Sequence, residues 1–162
     1  MKRLVILFAL VGLLACEKND DVIEEPTLKT ITVTPVKTDI TEVFTDISFG
    51  TAKVGYLCGS MGTLMKTTDS GKNWTAIKSD IKPSLNCIVA LDDKNVYTAR
   101  NEIYHTTNGG TSWETAGLEN IGSGIFDMHF LNQTTGFILK NGVMKSTDSG
   151  KTWTLKFDAG AD

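Results

Sequence analysis

An all-β fold made of short four-stranded antiparallel units is what this sequence predicts, and three observations predict it. One turn motif occurs three times, as TTDSGKNW (Thr67 to Trp74), TTNGGTSW (Thr106 to Trp113) and STDSGKTW (Ser146 to Trp153). Its acceptor positions, Asp69, Asn108 and Asp148, stand 39 and then 40 residues apart, a period suited to a stacked or radial repeat. Past the N-terminal apolar run, no segment sustains a helical apolar period over three turns, whereas short alternating runs flank each motif.

The chain opens with Lys2 and Arg3, followed by an apolar run from Leu4 to Ala15 that is too short to span a bilayer. Residues 1–15 read as an export signal and are set aside from the fold. Residues 16–29, with Glu17, Asp20, Asp21, Glu24 and Glu25 around Pro26, read as an acidic, solvated tether. Residues 30–162 remain for the folded part, divided by the motifs into units of about 37–78, 79–118 and 119–157. Thr30–Val36 alternates like a strand, and Pro35 suits it to an edge.

Aligned from their motifs, the units share a four-strand plan. First strands fall at Ile47–Phe49, Cys87–Val89 and Met128–Phe130, and second strands near Val54–Cys58, Val96–Thr98 and Phe137–Leu139. Third strands lead into the motifs at Thr63–Thr67, Glu102–Thr106 and Val143–Ser146, and fourth strands begin at Trp74, Trp113 and Trp153. Within the motif, Asp69, Asn108 and Asp148 can accept backbone N–H bonds, and the hydroxyls of Thr67, Thr106 and Ser146 can do so more weakly. Gly71, Gly110 and Gly150 stand where a tight turn needs positive φ. The motif uses all three tryptophans of the chain, each able to cover its turn.

This motif resembles the Asp-box, or BNR, repeat of sialidases, sortilin-type receptors and photosystem II assembly-factor-like proteins. The last group is most similar, because Gly55-Tyr56 through Gly59 and Gly62 to Lys66 leads into the first box as it does there. The resemblance spans roughly residues 31–157 and implies a β-propeller, here a partial one of about three blades. Since propellers close with four to eight blades, the chain is expected either to be a piece of a longer propeller or to self-associate and complete a ring. Leu13-Leu14-Ala15-Cys16 resembles the bacterial lipobox, which implies lipidation of Cys16 and anchoring at a membrane. The acids behind Cys16 resemble the export signal of Bacteroidetes surface lipoproteins, implying the cell envelope and its outer membrane, on the surface or the periplasmic face. The alternative is an ordinary secretory signal.

Without Lys2 and Arg3 the chain keeps 14 basic residues against 19 acids, a net charge of about −5 with no basic run. That balance argues against nucleic acid as a partner. Cys58 and Cys87 read as small buried hydrophobes, with a disulfide as the other possibility. The two histidines, His105 and His129, lie in different units without metal-ligand spacing, and no cofactor or metal is expected. A sialidase-like enzyme would need three arginines to grip a substrate carboxylate, but Arg100 is the sole arginine after the leader. The expected function is therefore a non-catalytic binding or assembly module with an unidentified protein or glycan partner. A glycan-binding accessory lipoprotein is the alternative, and a sialidase-like fragment a more distant one. The arginine-rich patch by which photosystem II assembly-factor-like proteins engage their client has no counterpart here.

Overall fold

The structure, a computed structural model, describes residues 41–116 and 124–158. The leader, Cys16, the tether and the strand expected at Thr30–Val36 lie outside the described residues.

The described chain forms twelve strands in three four-stranded sheets. The first holds β1 (Phe44–Phe49), β2 (Gly55–Gly59), β3 (Leu64–Thr67) and β4 (Thr75–Ala76). The second holds β5 (Cys87–Ala90), β6 (Val96–Ala99), β7 (Ile103–Thr106) and β8 (Glu114–Thr115). The third holds β9 (Asp127–Phe130), β10 (Gly136–Leu139), β11 (Gly142–Ser146) and β12 (Thr154–Asp158). Strands follow one another across each sheet in chain order, all antiparallel. These are the blades of a partial β-propeller, as the motif spacing predicts.

The ladders superpose the blades residue by residue. Phe49, Ala90 and Phe130 sit opposite Gly55, Val96 and Gly136, which in turn sit opposite the box residues Thr67, Thr106 and Ser146. The first blade departs from the others between β2 and β3, where a 3-10 turn at Ser60–Gly62 lengthens the connection. The expected first strands of the first and third blades match each other, but that of the second lies one residue early: Ala90, not Val89, matches Phe49 and Phe130, so Cys87 matches Asp46 and Asp127. Cys58 likewise matches Ala99, not Thr98.

Each sheet has a front face towards the preceding blade and a back face towards the following one, because side chains alternate across a strand. Tyr56, Cys58 and Leu64 on the back of the first blade meet Ile88 and Val96 on the front of the second. Tyr97, Ala99 and Ile103 on the back of the second meet Met128, Phe130 and Ile138 on the front of the third. Being covered on both sides, β6 buries all four residues Val96–Ala99, and the hydroxyl of Thr98 is satisfied by donating to the Cys87 carbonyl at 2.9 Å.

Polar contacts fix the stacking angle. Tyr56 Oη donates to the Asp93 carbonyl and Tyr97 Oη to the Ser149 carbonyl, both at 2.7 Å. Along the inner strands, the Ile88 N–H donates to Asp46 Oδ2 at 2.8 Å and the Ala90 N–H to Ser48 Oγ at 3.0 Å. Cys58 and Cys87 are buried free thiols. Burial pushes the Cys58 thiol up to about 11 and raises Cys87 further, so both behave as small apolar side chains.

Candidate functional site

The three box turns are the regular feature of the scaffold, and two large clefts stand beside them, one of about 640 Å³ lined by residues including Lys78, Lys82 and Trp113 and one of about 620 Å³ along the inner strands β1, β5 and β9. In each turn the box hydroxyl sits at the centre. Thr67 Oγ1 donates to Asp69 Oδ1 at 2.8 Å and accepts the N–H groups of Asp69 and Gly71 at 3.3 and 3.0 Å. Thr106 makes the same three contacts with Asn108 and Gly110, and Ser146 with Asp148 and Gly150. All three hydroxyl residues are buried.

The acceptor side chain then closes the turn on the residue four positions ahead. Asp69 Oδ1 accepts the Asn73 N–H at 2.9 Å, Asn108 Oδ1 the Ser112 N–H at 3.0 Å, and Asp148 Oδ1 the Thr152 N–H at 2.9 Å. The second carboxylate oxygens take the Asn73 amide at 2.7 Å and the Thr152 hydroxyl at 2.6 Å. Asn108 reverses that last bond, donating its own amide to Ser112 Oγ at 2.8 Å. The bonds from Asn73 hold the Asp69 carboxyl down at about 2, and those from Thr152 do the same for Asp148.

Positive φ runs over two successive residues of each turn: Ser70 and Gly71, Gly109 and Gly110, Ser149 and Gly150. The motif frame does not mark the serines, and Gly109 in the second copy is the one sequence sign of this. The amide of each such residue donates to the loop joining the first two strands, at Lys53, Lys94 and Thr134, with distances of 2.9, 3.0 and 2.9 Å. Trp74 and Trp153 donate their indole N–H to the Gly71 and Gly150 carbonyls at 3.1 and 3.0 Å, whereas the Trp113 indole N–H is buried without a partner. The box hydroxyls and carboxylates, which could otherwise bind a cation, are thus committed to the turns themselves.

The cleft of about 620 Å³ along the inner strands is different. Its walls include Asp46, Ser48, Val89, Asp127 and His129, with Asn132 and Gln133 at one end. Asp46 is used on both oxygens, by the N–H groups of Ile47 and Ile88 at 2.8 Å each. Asp127 takes only the Met128 N–H, at 2.8 Å, and is exposed. His129 is exposed beside it because Met128 and Phe130 turn into the core. The other histidine is remote from this cleft: His105 stacks on Tyr97 at 4.0 Å with Nε2 buried and unpartnered, and burial holds its pKa below the usual value. Among the described residues, no three His, Cys, Asp or Glu side chains converge as metal ligands would.

The sequence matches the family described as photosynthesis system II assembly factor YCF48 over residues 26–124, which take in the first two blades. The chain belongs to the YCF48 family. It is 33% identical over 73 residues to the photosystem II assembly lipoprotein Ycf48 of Synechococcus sp. (strain CC9902), covering 43% of this chain and 22% of that one. It is 34% identical over 82 residues to the photosystem II stability/assembly factor HCF136 of Arabidopsis thaliana, covering 48% of this chain and 20% of that one. The matched stretch therefore spans about a fifth of the length of these curated relatives. Among solved structures, YCF48 bound to D1 peptide aligns with 77% of this chain and 45% of its own, at a TM-score of 0.67 and 24% identity. YCF48 from Cyanidioschyzon merolae aligns with 74% and 38%, at 0.63 and 17%. The Niastella koreensis GH74 enzyme aligns with 69% and 22%, at 0.56 and 20%. These structural likenesses, all under 25% identical, carry the propeller fold.

Proposed function

We propose that the chain is a non-catalytic binding module of the cell envelope, lipidated on Cys16, that takes an extended segment of a partner protein along its inner strands. The observation that carries this reading is the cleft between β1, β5 and β9, in which Asp127 and His129 project from β9 with hydrogen-bonding capacity to spare. A YCF48 structure described as bound to D1 peptide supports a peptide occupant, and a relative described as a lipoprotein supports the anchor. The domain scheme follows: leader 1–15, tether 16–29, and blades of about 37–78, 79–118 and 119–157, with the box residues holding the turns and the acids behind Cys16 directing the protein to the outer membrane.

The chemistry of the cleft selects the class of segment. Its one uncommitted carboxylate is Asp127, and among the described residues no lysine or arginine lines it. It therefore favours neutral or basic peptides over acidic ones. Binding of the full chain to an array of extended peptides of graded charge tests this. Basic peptides should bind, and Asp127→Lys should move the preference towards acidic ones. A blank array, or a preference untouched by the substitution, refutes the peptide reading. Release of reducing ends from xyloglucan by the purified chain would refute its non-catalytic half.

A further inference from the structure

The second box differs from its two copies, and a cleft lies beside it. In the first and third boxes the tryptophan closes over its own glycine: Trp74 and Trp153 donate to the Gly71 and Gly150 carbonyls, and each ring meets a phenylalanine edge-on at 6.1 Å and 79°. The second blade has Ala90 where those phenylalanines, Phe49 and Phe130, stand. Its glycine is covered from elsewhere. A Cβ placed at Gly71 or Gly150 would meet the ring of the box tryptophan, whereas one at Gly110 would meet the side chain of Ile77, the residue that follows β4. Trp113 is thus displaced from its turn. Its indole N–H is buried without a partner, and its ring packs against the core shared by the first two blades.

In that position Trp113 lines the cleft of about 640 Å³, a size within the roughly 300–1,000 Å³ of small-molecule sites. Tyr104 and Thr115, cross-strand partners on β7 and β8, line it too, and residues 78–83, which run from the first blade towards the second, supply much of the rest. The Tyr104 ring is anchored, because its hydroxyl donates to Glu102 Oε2 at 2.6 Å. Lys78 and Lys82 are exposed in the lining and, among the described residues, make no hydrogen bond or ion pair. One carboxylate, Asp80, accompanies them. The hydroxyls of Ser79 and Thr115 are likewise uncommitted among the described residues. The cleft therefore joins an aromatic wall to two free cations and two free hydroxyls, the reverse in charge of the cleft at Asp127.

We propose that this cleft is a second binding site and takes a short acidic saccharide, an oligomer of uronic acids. The apolar C–H face of a sugar ring matches the half-buried rings of Trp113 and Tyr104, which offer apolar surface at the edge of water. The sugar carboxylates match the ammonium groups of Lys78 and Lys82, and its hydroxyls match Ser79 and Thr115. A neutral sugar leaves both lysines unused. An acidic peptide satisfies the lysines but brings no apolar ring face to the aromatic wall. The lining residues are separate from Asp46, Asp127 and His129 of the peptide cleft, so this site stands or falls apart from that reading.

Titration of the full chain in a mild detergent with trigalacturonate, read by calorimetry and by tryptophan fluorescence, tests it. The acidic sugar should bind, weaken as salt is raised, and shift the tryptophan emission. It should bind at least about tenfold more tightly than the neutral galactose trisaccharide of the same linkage. Replacing both lysines, Lys78→Gln with Lys82→Gln, alters only exposed side chains and should cost at least about tenfold in affinity at an unchanged urea midpoint. Absence of binding overturns the proposal, and so does equal affinity for the neutral sugar or an affinity untouched by the lysine pair. Hexaglutamate binding as tightly as trigalacturonate also overturns it, in favour of an acidic peptide. Asp127→Lys should leave the titration unchanged, and a change there would place the sugar in the other cleft and refute this one.

Discussion

Replacing Thr106 by valine tests the part assigned to the box hydroxyls. The substitution keeps the β-branched shape at the end of β7 and removes one oxygen. That oxygen is buried, with the residue 2% exposed, and serves three contacts. Losing it strands the Gly110 N–H, which lies in a buried residue and costs about 1–3 kcal/mol when unpaired. The donor to Asn108 Oδ1 also goes, but that oxygen keeps the Ser112 N–H, so the loss there is about 0.5–1.5 kcal/mol. The 3.3 Å bond from the Asn108 N–H adds little. The sum is about 1.5–4.5 kcal/mol. Urea unfolding followed by tryptophan fluorescence reads it as a lower midpoint at unchanged slope. Thr115→Val, at an exposed position of β8, is the control and should stay within about 0.5 kcal/mol. A loss at Thr106 below about 1 kcal/mol would refute the central place given to the hydroxyl.

Three more outcomes follow from the same contacts. The carboxyls of Asp69 and Asp148 are held at about 2, below their ordinary value of 3.8, so the stability they add is present above about pH 4 and is lost as pH falls through about 2. The double variant Asp69→Asn, Asp148→Asn copies the amide that Asn108 already supplies in the second box. It should lose less melting temperature than wild type between about pH 5 and about pH 2, and an equal loss would count against these carboxylates. Cys58 and Cys87, buried and with raised pKa values, should stay unmodified by a thiol reagent at about pH 8 and react only in denaturant, as peptide mapping would show; prompt labelling of either contradicts their burial. Ile138→Ala, at 0% exposure in the second interface, should cost about 2–5 kcal/mol by calorimetry, and a near-neutral result would mean that the second and third blades are not packed together.

The parts of this fold that are legible in the sequence are those governed by local chemistry. A box turn needs an acceptor, a hydroxyl, a glycine and a covering ring within eight residues, so three copies announce themselves, and with them the four-strand unit and its order. What is not legible depends on stacking. The Tyr56–Lys66, Tyr97–His105 and Phe137–Lys145 pairs recur at one ladder position, but the partners of Tyr56, Lys66 and Tyr97 lie on the following blade, dozens of residues away. The register of the second blade's first strand is hidden for a related reason: which of Val89 and Ala90 matches Phe49 and Phe130 is decided by ladder pairing and not by the box. The same distinction separates the candidate sites. The box residues are conspicuous in the sequence because the turn consumes the hydrogen bonds they offer, which leaves them nothing for a ligand. Asp127 and His129 look ordinary in the sequence, since each merely alternates with Met128 and Phe130. Only the fold, which turns Met128 and Phe130 onto the second blade, leaves Asp127 and His129 as the exposed polar side of β9, with a carboxylate oxygen uncommitted.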